Sequence, residues 1–472
     1  MSDFKDSEER EEGKVAKNFS WMPAGCEPLA DGEYDAIIMG TGLTECIISG
    51  LLSVNGKRVL HVDRNNYYGA ETASLSLANL FQKFRTETPG ANLGHSRDWN
   101  VDLIPKFIMA CGDLVKILIH SKVTRYLEFK SIDGSYVLKD NKVYKVPATP
   151  MEAVNSSLMG FFEKRKFKFF LEFLAKYDKT QPSTYHKGKS LDKVTTRQLF
   201  EDFGLDANTQ AFTGHAMALH RDDDYLEQPA EATAEAIQLY VFSLERYGKS
   251  PYIYPMYGLG GMPEGFSRLC AIHGGTFMLN KGIDEVLHEN GNAWGVKTGN
   301  EVAKAPIIVG DPSYFEPSKT RVVGKVVRSI CILNHPIAGT DNSESVQIII
   351  PAKQVKGRKN DIYVCMVSHA HCVASTGKYI AIVSTTVETA NPVAELTPGI
   401  TLLGEVMERF DSVSDLLEPV SDGRSDGCFI SRSYDAASHF EACAEDVLSM
   451  YRRITGTELD MSISAEMTED DM

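Results

Sequence analysis

The sequence predicts an α/β fold in which a Rossmann-type domain with a mixed sheet, assembled from separated stretches of chain, is interrupted by an inserted all-helical domain. Three observations predict it. A buried-strand run from Tyr34 leads through Gly40-Thr41-Gly42 into an apolar helical segment, Leu43 to Val54. From about Lys106 to His220 the texture changes to helices rich in Phe, Leu and Met. Strand patterning then returns and alternates with turns as far as Thr385.

Taken in order, residues 1–32 mix charges with Gly, Pro and Ala without a sustained period, which predicts a mobile extension. The fold is expected to start at Glu33, and the sheet domain to comprise residues 33–105 and 221–456. After the first strand and helix, Asn55-Gly56 is a helix stop, and Arg58 to Val62 reads as a second strand ending at Asp63, 23 residues after Gly40. Strand, glycine turn, helix and strand ending in an acid make the βαβ dinucleotide-binding pattern. Within the insert, placed at 106–220, Phe161 to Tyr177 holds seven aromatics in 17 residues, against 9% for the chain. Thr195-Thr196-Arg197-Gln198 is a capping box whose helix stops near Gly204. Pro229 opens a long helix to about Arg246, with Gly248 as its end. Phe277 to Asn280 and Glu285 to Val296 read as short strands, the latter folded at an Asn290-Gly291 hairpin turn. Ala305 to Gly310, Val346 to Ile350, Ile362 to Ser368 and Tyr379 to Thr385 complete the β content. Residues 457–472 carry six acids and no base, an acidic tail.

Composition excludes several classes. With 472 residues there is room for two or three domains at about 150 residues each, and 43% hydrophobic against 24% charged residues is ordinary for a packed protein. No apolar run approaches the roughly 18 residues that span a bilayer, and the first dozen residues hold six acids and two bases, unlike a signal peptide. A cytoplasmic protein is expected. Nine cysteines with no C-x-x-C pair read as scattered thiols in a reducing compartment. The net charge, 49 − 64 = −15, repels nucleic acid and anionic lipid alike.

The glycine turn carries the first functional argument. It reads Gly40-Thr41-Gly42-Leu43-Thr44-Glu45, so glutamate stands where a third glycine lets helix and strand approach. A carboxylate in the first helical turn takes the favourable end of the helix dipole and repels a pyrophosphate. The expectation is a turn that keeps its fold and binds no cofactor; the alternative is that Glu45 points aside and a flavin still binds. Gly310-Asp311-Pro312, following a buried strand, argues against the flavin as well.

Four motifs carry a resemblance: Gly40 to Cys46, Asp63-Arg64-Asn65-Asn66-Tyr67-Tyr68-Gly69, Arg97-Asp98-Trp99-Asn100-Val101-Asp102-Leu103-Ile104-Pro105-Lys106, and Arg246-Tyr247-Gly248-Lys249-Ser250-Pro251-Tyr252. In this order they resemble the Rab GDP dissociation inhibitors, from about Glu33 to Ile454. The Rab escort proteins share the motifs but are usually longer. The resemblance implies a flavin-oxidase-like domain without flavin and a helical second domain. It implies no enzymatic activity, but binding of prenylated GDP-bound Rab GTPases, a block on GDP release, and carriage between membranes through the cytosol. Partners so implied are the Rab, its geranylgeranyl lipid and, transiently, a membrane; the free protein is expected to be monomeric.

Carried over by position, Tyr68, Arg268 and Met278 would form the Rab-binding platform, although Tyr68 also fits plain turn packing. Arg246, Tyr247, Lys249, Ser250 and Pro251 match the family's mobile effector loop. Gly261 stands where the family usually has a glutamate after Gly258-Leu259-Gly260, and Glu264 is expected to replace that carboxylate in part. A geranylgeranyl chain leaves a bilayer only for comparable apolar burial, about 0.8 kcal/mol per methylene. Phe107, Met109, Leu114, Leu118, Leu158, Met159, Phe162, Phe169, Phe173, Phe212 and Met217 are the candidates for that lining, and equally for a helix-bundle core. Two further features carry less. His369-Ala370-His371-Cys372 puts two imidazoles on one strand but lacks further ligands, so no metal is expected. The run Lys164-Arg165-Lys166-Phe167-Lys168 reads as a solvated helix face rather than a lipid contact.

Overall fold

A computed structural model describes residues 19–462. At its centre lies a parallel sheet in the order Thr276–Met278, Val59–Val62, Ala36–Met39, Ile307–Gly310, Cys428–Ile430. The strands Ala36–Met39 and Val59–Val62 are buried throughout, as their unbroken apolar runs require. Helices Leu43–Val54, Gly261–Ile272 and Glu441–Thr455 pack together against it. A second sheet, Glu27–Glu33, Glu301–Lys304, Asn292–Thr298, Glu285–Glu289, carries the hairpin at Asn290 and Gly291, whose φ values of 51° and 86° fit the tight turn. The largest sheet runs Glu408–Pro419, Thr320–Leu333, Tyr379–Thr386, Ile362–Ser368, Val346–Ile350, Gly134–Lys139, Lys142–Lys145.

The domain bounds shift. The chain joins the fold before Glu33: Glu27–Glu33 pairs in parallel with Glu301–Lys304, Trp21 Nε1 donates to Glu33 Oε1 at 2.6 Å, and the Trp21 ring meets Trp294 edge-on at 5.9 Å. Residues 1–18 and most of the acidic tail, 463–472, lie outside the described residues. The segment 106–220 is not all helical. Gly134–Lys139 and Lys142–Lys145 form a hairpin on the edge of the largest sheet, closed by Asp140 and Asn141 at φ 50° and 59°. Without a glycine, that turn gives a weak sequence signal. Helix Asp113–His120 packs against Glu441–Thr455 in the sheet domain. The helices that pack on one another run from Phe161–Leu174 through Thr196–Asp202 and Ala207–Phe212 to Ala230–Tyr247. The long helix begins after Pro229 and ends at Gly248, whose φ of 70° is the left-handed cap glycine allows. Thr195 and Gln198 form the reciprocal capping box.

One buried charge group ties the helices to the largest sheet. His215, in a π-helical turn Thr213–Met217, offers Nδ1 to Asp361 Oδ2 at 2.8 Å and Nε2 to Asp223 Oδ1 at 3.2 Å. Asp361 stands just ahead of strand Ile362–Ser368. Burial alone pulls the imidazole down, but bonding to Asp223 and Asp361 outweighs it and lifts the pKa from 6.5 to about 9, so His215 is a cation at neutral pH. Its folded value exceeds the unfolded one, so its stabilisation is complete below pH 6.5 and disappears as pH climbs through 9. His215→Ala leaves two carboxylates facing each other and should cost about 3–5 kcal/mol, the usual penalty for opening a buried pair. Urea unfolding at a series of pH values should show wild-type stability declining over this window and a flatter profile for the variant.

Candidate functional site

The carboxyl ends of the parallel strands carry the loops of interest, the side where open α/β sheets bind ligands. Gly40 takes φ 95°, and a Cβ there would lie 2.8 Å from Asp311 Oδ2 and 3.0 Å from the Tyr314 ring. Thr41 N and Oγ1 both donate to Asp63 Oδ2, at 2.7 and 2.5 Å, while Asn65 N donates to Asp63 Oδ1 at 2.7 Å. The acid ending the second strand, which in a dinucleotide site would face a ribose, is thus held by the protein's own turn. Gly42 opens the first helix, and a Cβ there would lie 2.5 Å from Glu45 Oε2. Glu45 is 2% exposed, with its carboxyl folded back over the helix N-terminus. Burial, reinforced by the nearby Asp311 carboxylate, raises its pKa to about 8. Burial also raises Asp311. Two carboxyls therefore crowd the cradle where a pyrophosphate would lie, and the residues present do not fit a flavin dinucleotide.

An exposed surface adjoins this turn. Tyr68, half-buried after the second strand, tilts toward the Phe277 ring at 6.2 Å, and Phe277 stacks on His61 at 4.7 Å. Burial raises the Tyr68 phenol, as do Cys46 and Glu264. Glu264 and Arg268 are both exposed on helix Gly261–Ile272, and Ile272 is exposed one turn later. The spacing of four makes one stripe. The Arg268 guanidinium sits 4.5 Å over the Tyr126 ring. Met278, half-buried at the end of the edge strand, packs with the core beneath the second sheet, away from the face of its neighbour Phe277. Gly261 heads the helix against Leu127, whose methyl would lie 3.3 Å from a Cβ there. Phe277, Tyr126 and Ile272 escaped the sequence reading, though the i, i+4, i+8 spacing from Glu264 could have revealed Ile272.

The other candidates divide. Of the loop after the long helix, Arg246, Tyr247 and Lys249 are exposed, but Ser250 and Pro251 are buried. Arg246 Nη1 donates to Ala110 O at 3.3 Å, and Ala110 N donates to Pro251 O at 2.9 Å, so only the tip projects. Phe107, Met109, Leu114 and Leu118 are buried in the sheet domain, apart from the helical body. Phe107 meets the Tyr254 ring edge-on at 5.6 Å, and these four are core. Phe212 and Met217 are buried, Leu158 and Met159 border them, and Phe173 stacks on Phe203 at 5.2 Å. Phe162 and Phe169 lie outside: Phe161 and Phe162 are 80% and 79% exposed and Phe169 is 50% exposed, so they line no closed pocket here. A cavity of about 20 Å³, space for a single water, lies between Leu158, Met159 and Phe212 and the sheet residues Val137 and Leu138. His369 and His371 fall in a 3-10 turn rather than on a strand. His369 is exposed near Glu344 and His371 is buried against Tyr254. No group of three or more His, Cys, Asp or Glu at metal-binding distance occurs among the described residues.

Comparison with known proteins identifies this architecture. The family model described as GDP dissociation inhibitor matches residues 30–466. This chain belongs to the GDP dissociation inhibitor family. It is 56% identical over 431 residues to the "Probable secretory pathway GDP dissociation inhibitor 1" of Schizosaccharomyces pombe, covering 91% of this chain and 97% of that one. It is 54% identical to the "Rab GDP-dissociation inhibitor" of Saccharomyces cerevisiae, covering 90% and 96%. The crystal structure of Rab GDI from Plasmodium falciparum superposes with a TM-score of 0.87 at 46% identity, over 91% of this chain and 99% of that one. An oxidoreductase from Methanosarcina mazei, at 15% identity and a TM-score of 0.55 over 88% and 99%, shares the fold alone. The family is regulatory rather than enzymatic, which agrees with the closed nucleotide turn.

Two outcomes follow from the turn. Asp63→Ala unpairs the buried Thr41 amide and the half-buried Asn65 amide and should lower stability by about 2–6 kcal/mol in urea unfolding, at about 1–3 kcal/mol per orphaned donor. Glu45→Gly alone should gain no flavin absorbance after incubation with flavin adenine dinucleotide, because Asp311 still covers Gly40.

Proposed function

We propose that the protein is a Rab GDP dissociation inhibitor that binds prenylated, GDP-bound Rab GTPases, blocks GDP release, extracts them from membranes and carries them through the cytosol. The observation that carries this is the conversion of the strand-end surface. The nucleotide turn is closed by its own carboxyls, and beside it the half-buried Tyr68 and the exposed Glu264 and Arg268 offer aromatic area and charges of both signs. Tyr and Arg are the residues that anchor protein interfaces. A GDP-bound switch region is loosely ordered, and a surface that captures that conformation selects GDP over GTP by shifting its population. Met278 contributes through the edge strand that supports Phe277, and Glu264 supplies the carboxylate that Gly261 lacks.

The lipid is the second half of the proposal. Burying a geranylgeranyl chain at about 0.8 kcal/mol per methylene needs far more room than a cavity of about 20 Å³, so the seat at Met159, Phe173, Phe212 and Met217 opens to receive it. Phe162 and Phe169, outside on helix Phe161–Leu174, flank that opening, and Arg246, Tyr247 and Lys249 form the projecting tip that meets the membrane. No helix among the described residues is long and apolar enough to cross a bilayer. The free protein acts as a monomer.

Incubation with vesicles carrying prenylated Rab decides the matter. GDP-loaded Rab should appear in the supernatant and GTP-loaded Rab should stay with the vesicles; failure to extract either would refute the proposal. Tyr68→Ala and Arg268→Ala should each weaken Rab binding at least about 30-fold, the cost of truncating an interface anchor. Glu264→Lys should also weaken it, and unchanged affinity would remove Glu264 from the platform. Phe169→Asp should impair extraction of prenylated Rab while leaving affinity for unprenylated GDP-Rab within about two-fold, because the two surfaces are separate.

A further inference from the structure

The closed turn does not close the cleft above it. An open cavity of about 540 Å³ remains, lined by Glu45, Glu71, Tyr67, Tyr314, Arg328 and Tyr434 among others. That volume lies in the range of small-molecule sites. The hydrogen-bond inventory of its wall says what it fits. Its cations are mostly engaged by the protein. Arg64 donates to Ser313 O and Oγ at 3.2 and 3.1 Å and lies 3.7 Å over the Tyr314 ring. Buried Arg328 donates to the Tyr434 and Asp435 carbonyls, both at 2.7 Å, and to Ser414 Oγ at 3.2 Å. Arg432 faces Asp446 at 3.8 Å. Lys83 is exposed.

The oxygens are left wanting. Glu45 Oε1 and Tyr434 Oη are buried with no hydrogen-bond partner, and Glu71 makes no hydrogen bond among the described residues. Glu71 is exposed to solvent at the cleft, yet the protein packed around it desolvates its carboxyl and raises it, with Asp311 adding to that effect while Arg328 and Lys83 oppose it. An unpaired buried polar atom is costly, so an occupant that pairs with Glu45 Oε1 and the Tyr434 hydroxyl recovers free energy, while the exposed Glu71 carboxylate adds charge beside them. The Tyr434 hydroxyl can pair with a donor or an acceptor, but a carboxylate or a fully ionised phosphate ester brings negative charge beside Glu71 and Asp311 and cannot donate to their oxygens. An alkylammonium group can, with three N–H donors and a positive charge, and the Tyr67 ring on the wall offers a cation a favourable face.

We propose that this cleft binds a small primary amine or polyamine, its ammonium group seated between Glu45, Glu71 and Tyr434. The ligand chemistry is thus the inverse of the anionic pyrophosphate for which this turn is built elsewhere. The seat has a signature that surface attraction to an acidic protein lacks. Glu45 is largely protonated at neutral pH, with a pKa near 8. A cation beside it favours the carboxylate, so binding releases a proton. Asp311 and Asp446 push the Glu45 proton the same way, toward retention, and Ser431 the other.

Titration calorimetry of the full chain with spermidine at pH 7 tests this, repeated in two buffers of different ionisation enthalpy, with ADP as the anionic control. Saturable binding at one site is expected, with an apparent enthalpy that differs between the buffers by the release of part of a proton. Glu71→Gln, an exposed change, should weaken binding at least about five-fold. Glu45→Gln should weaken it and remove the buffer dependence. Glu289→Gln, an exposed acid in the second sheet, should change nothing. The proposal is overturned by absence of saturable heat, by equal affinity in wild type and Glu71→Gln, by equal weakening in Glu289→Gln, or by ADP binding more tightly than spermidine.

Discussion

The carboxylate of Asp63 is the constraint from which the functional surface is built. It accepts the Thr41 amide and hydroxyl with one oxygen and the Asn65 amide with the other. The first of these fixes the glycine turn, and the second fixes the loop that presents Tyr67 to the cleft and Tyr68 to the surface beside it. Gly69 N closes the circuit by donating to Thr41 O at 3.0 Å. Because Asp63 is fully buried, each of these bonds is made in a medium where leaving a donor unpaired is costly. A nucleotide would have to break into this arrangement to reach the acid. The turn has therefore exchanged a ligand-binding role for an internal one, and Glu45 and Asp311 complete the exchange on the phosphate side.

The other shared motifs work in the same manner. Asp102 accepts from Ser74 Oγ at 2.5 Å and Leu259 N at 2.9 Å, and from the Tyr254 hydroxyl. Gly260 N donates to Ser74 Oγ at 2.8 Å. This network aims the start of helix Gly261–Ile272, whose exposed stripe carries Glu264 and Arg268. Lys106, buried, pairs with Asp435 at 2.5 Å and donates to the Ala437 carbonyl, tying the end of the same motif to the segment before helix Glu441–Thr455. The long motifs are thus mostly buried polar clamps. The surface they hold in place is spread over residues too few and too separated to form a motif themselves.

That division explains what the sequence disclosed. The first βαβ unit, the capping box at Thr195, the Asn290-Gly291 hairpin and the strands Val346–Ile350 and Ile362–Ser368 were legible because local chemistry and long-range packing demand the same residues there. The edge hairpin Gly134–Lys145 was not, since Asp140-Asn141 carries the left-handed turn without glycine, and its strands sit inside a region of helical texture. Thr320–Leu333 and Glu408–Pro419, the longest strand pair among the described residues, escaped because only the second half of the first is fully buried and the other is partly or wholly exposed at all but Phe410, so neither shows one clean pattern. Among site residues, the closed turn was legible in Glu45 and in Asp311 after its buried strand. Phe277 and Tyr126 could not be seen, because their partners Tyr68 and Arg268 reach them only through the fold.

Helix Phe161–Leu174 is where the physical argument extends furthest. Its buried side, Phe170 and Leu174, is fully used, with Phe170 edge-on to Phe200 and Phe203 at 5.6 and 5.3 Å. The opposite side still exposes Phe161, Phe162 and Phe169, with Arg165 reaching the Phe169 ring at 5.7 Å. Solvated helix faces do not need three exposed phenylalanines, and contiguous apolar exposure of this kind marks a contact surface. Neither side of the helix holds a preformed cavity large enough for a prenyl chain among the spaces at Met159 and Phe212. An empty seat of that size would be costly in the free protein, since unfilled apolar space forfeits dispersion contacts, whereas a collapsed seat flanked by exposed rings keeps the core packed until lipid arrives. On the proposed function the helix would trade contacts with its neighbours for contacts with the prenyl chain, and the exposed rings are the part of that exchange present in the free protein.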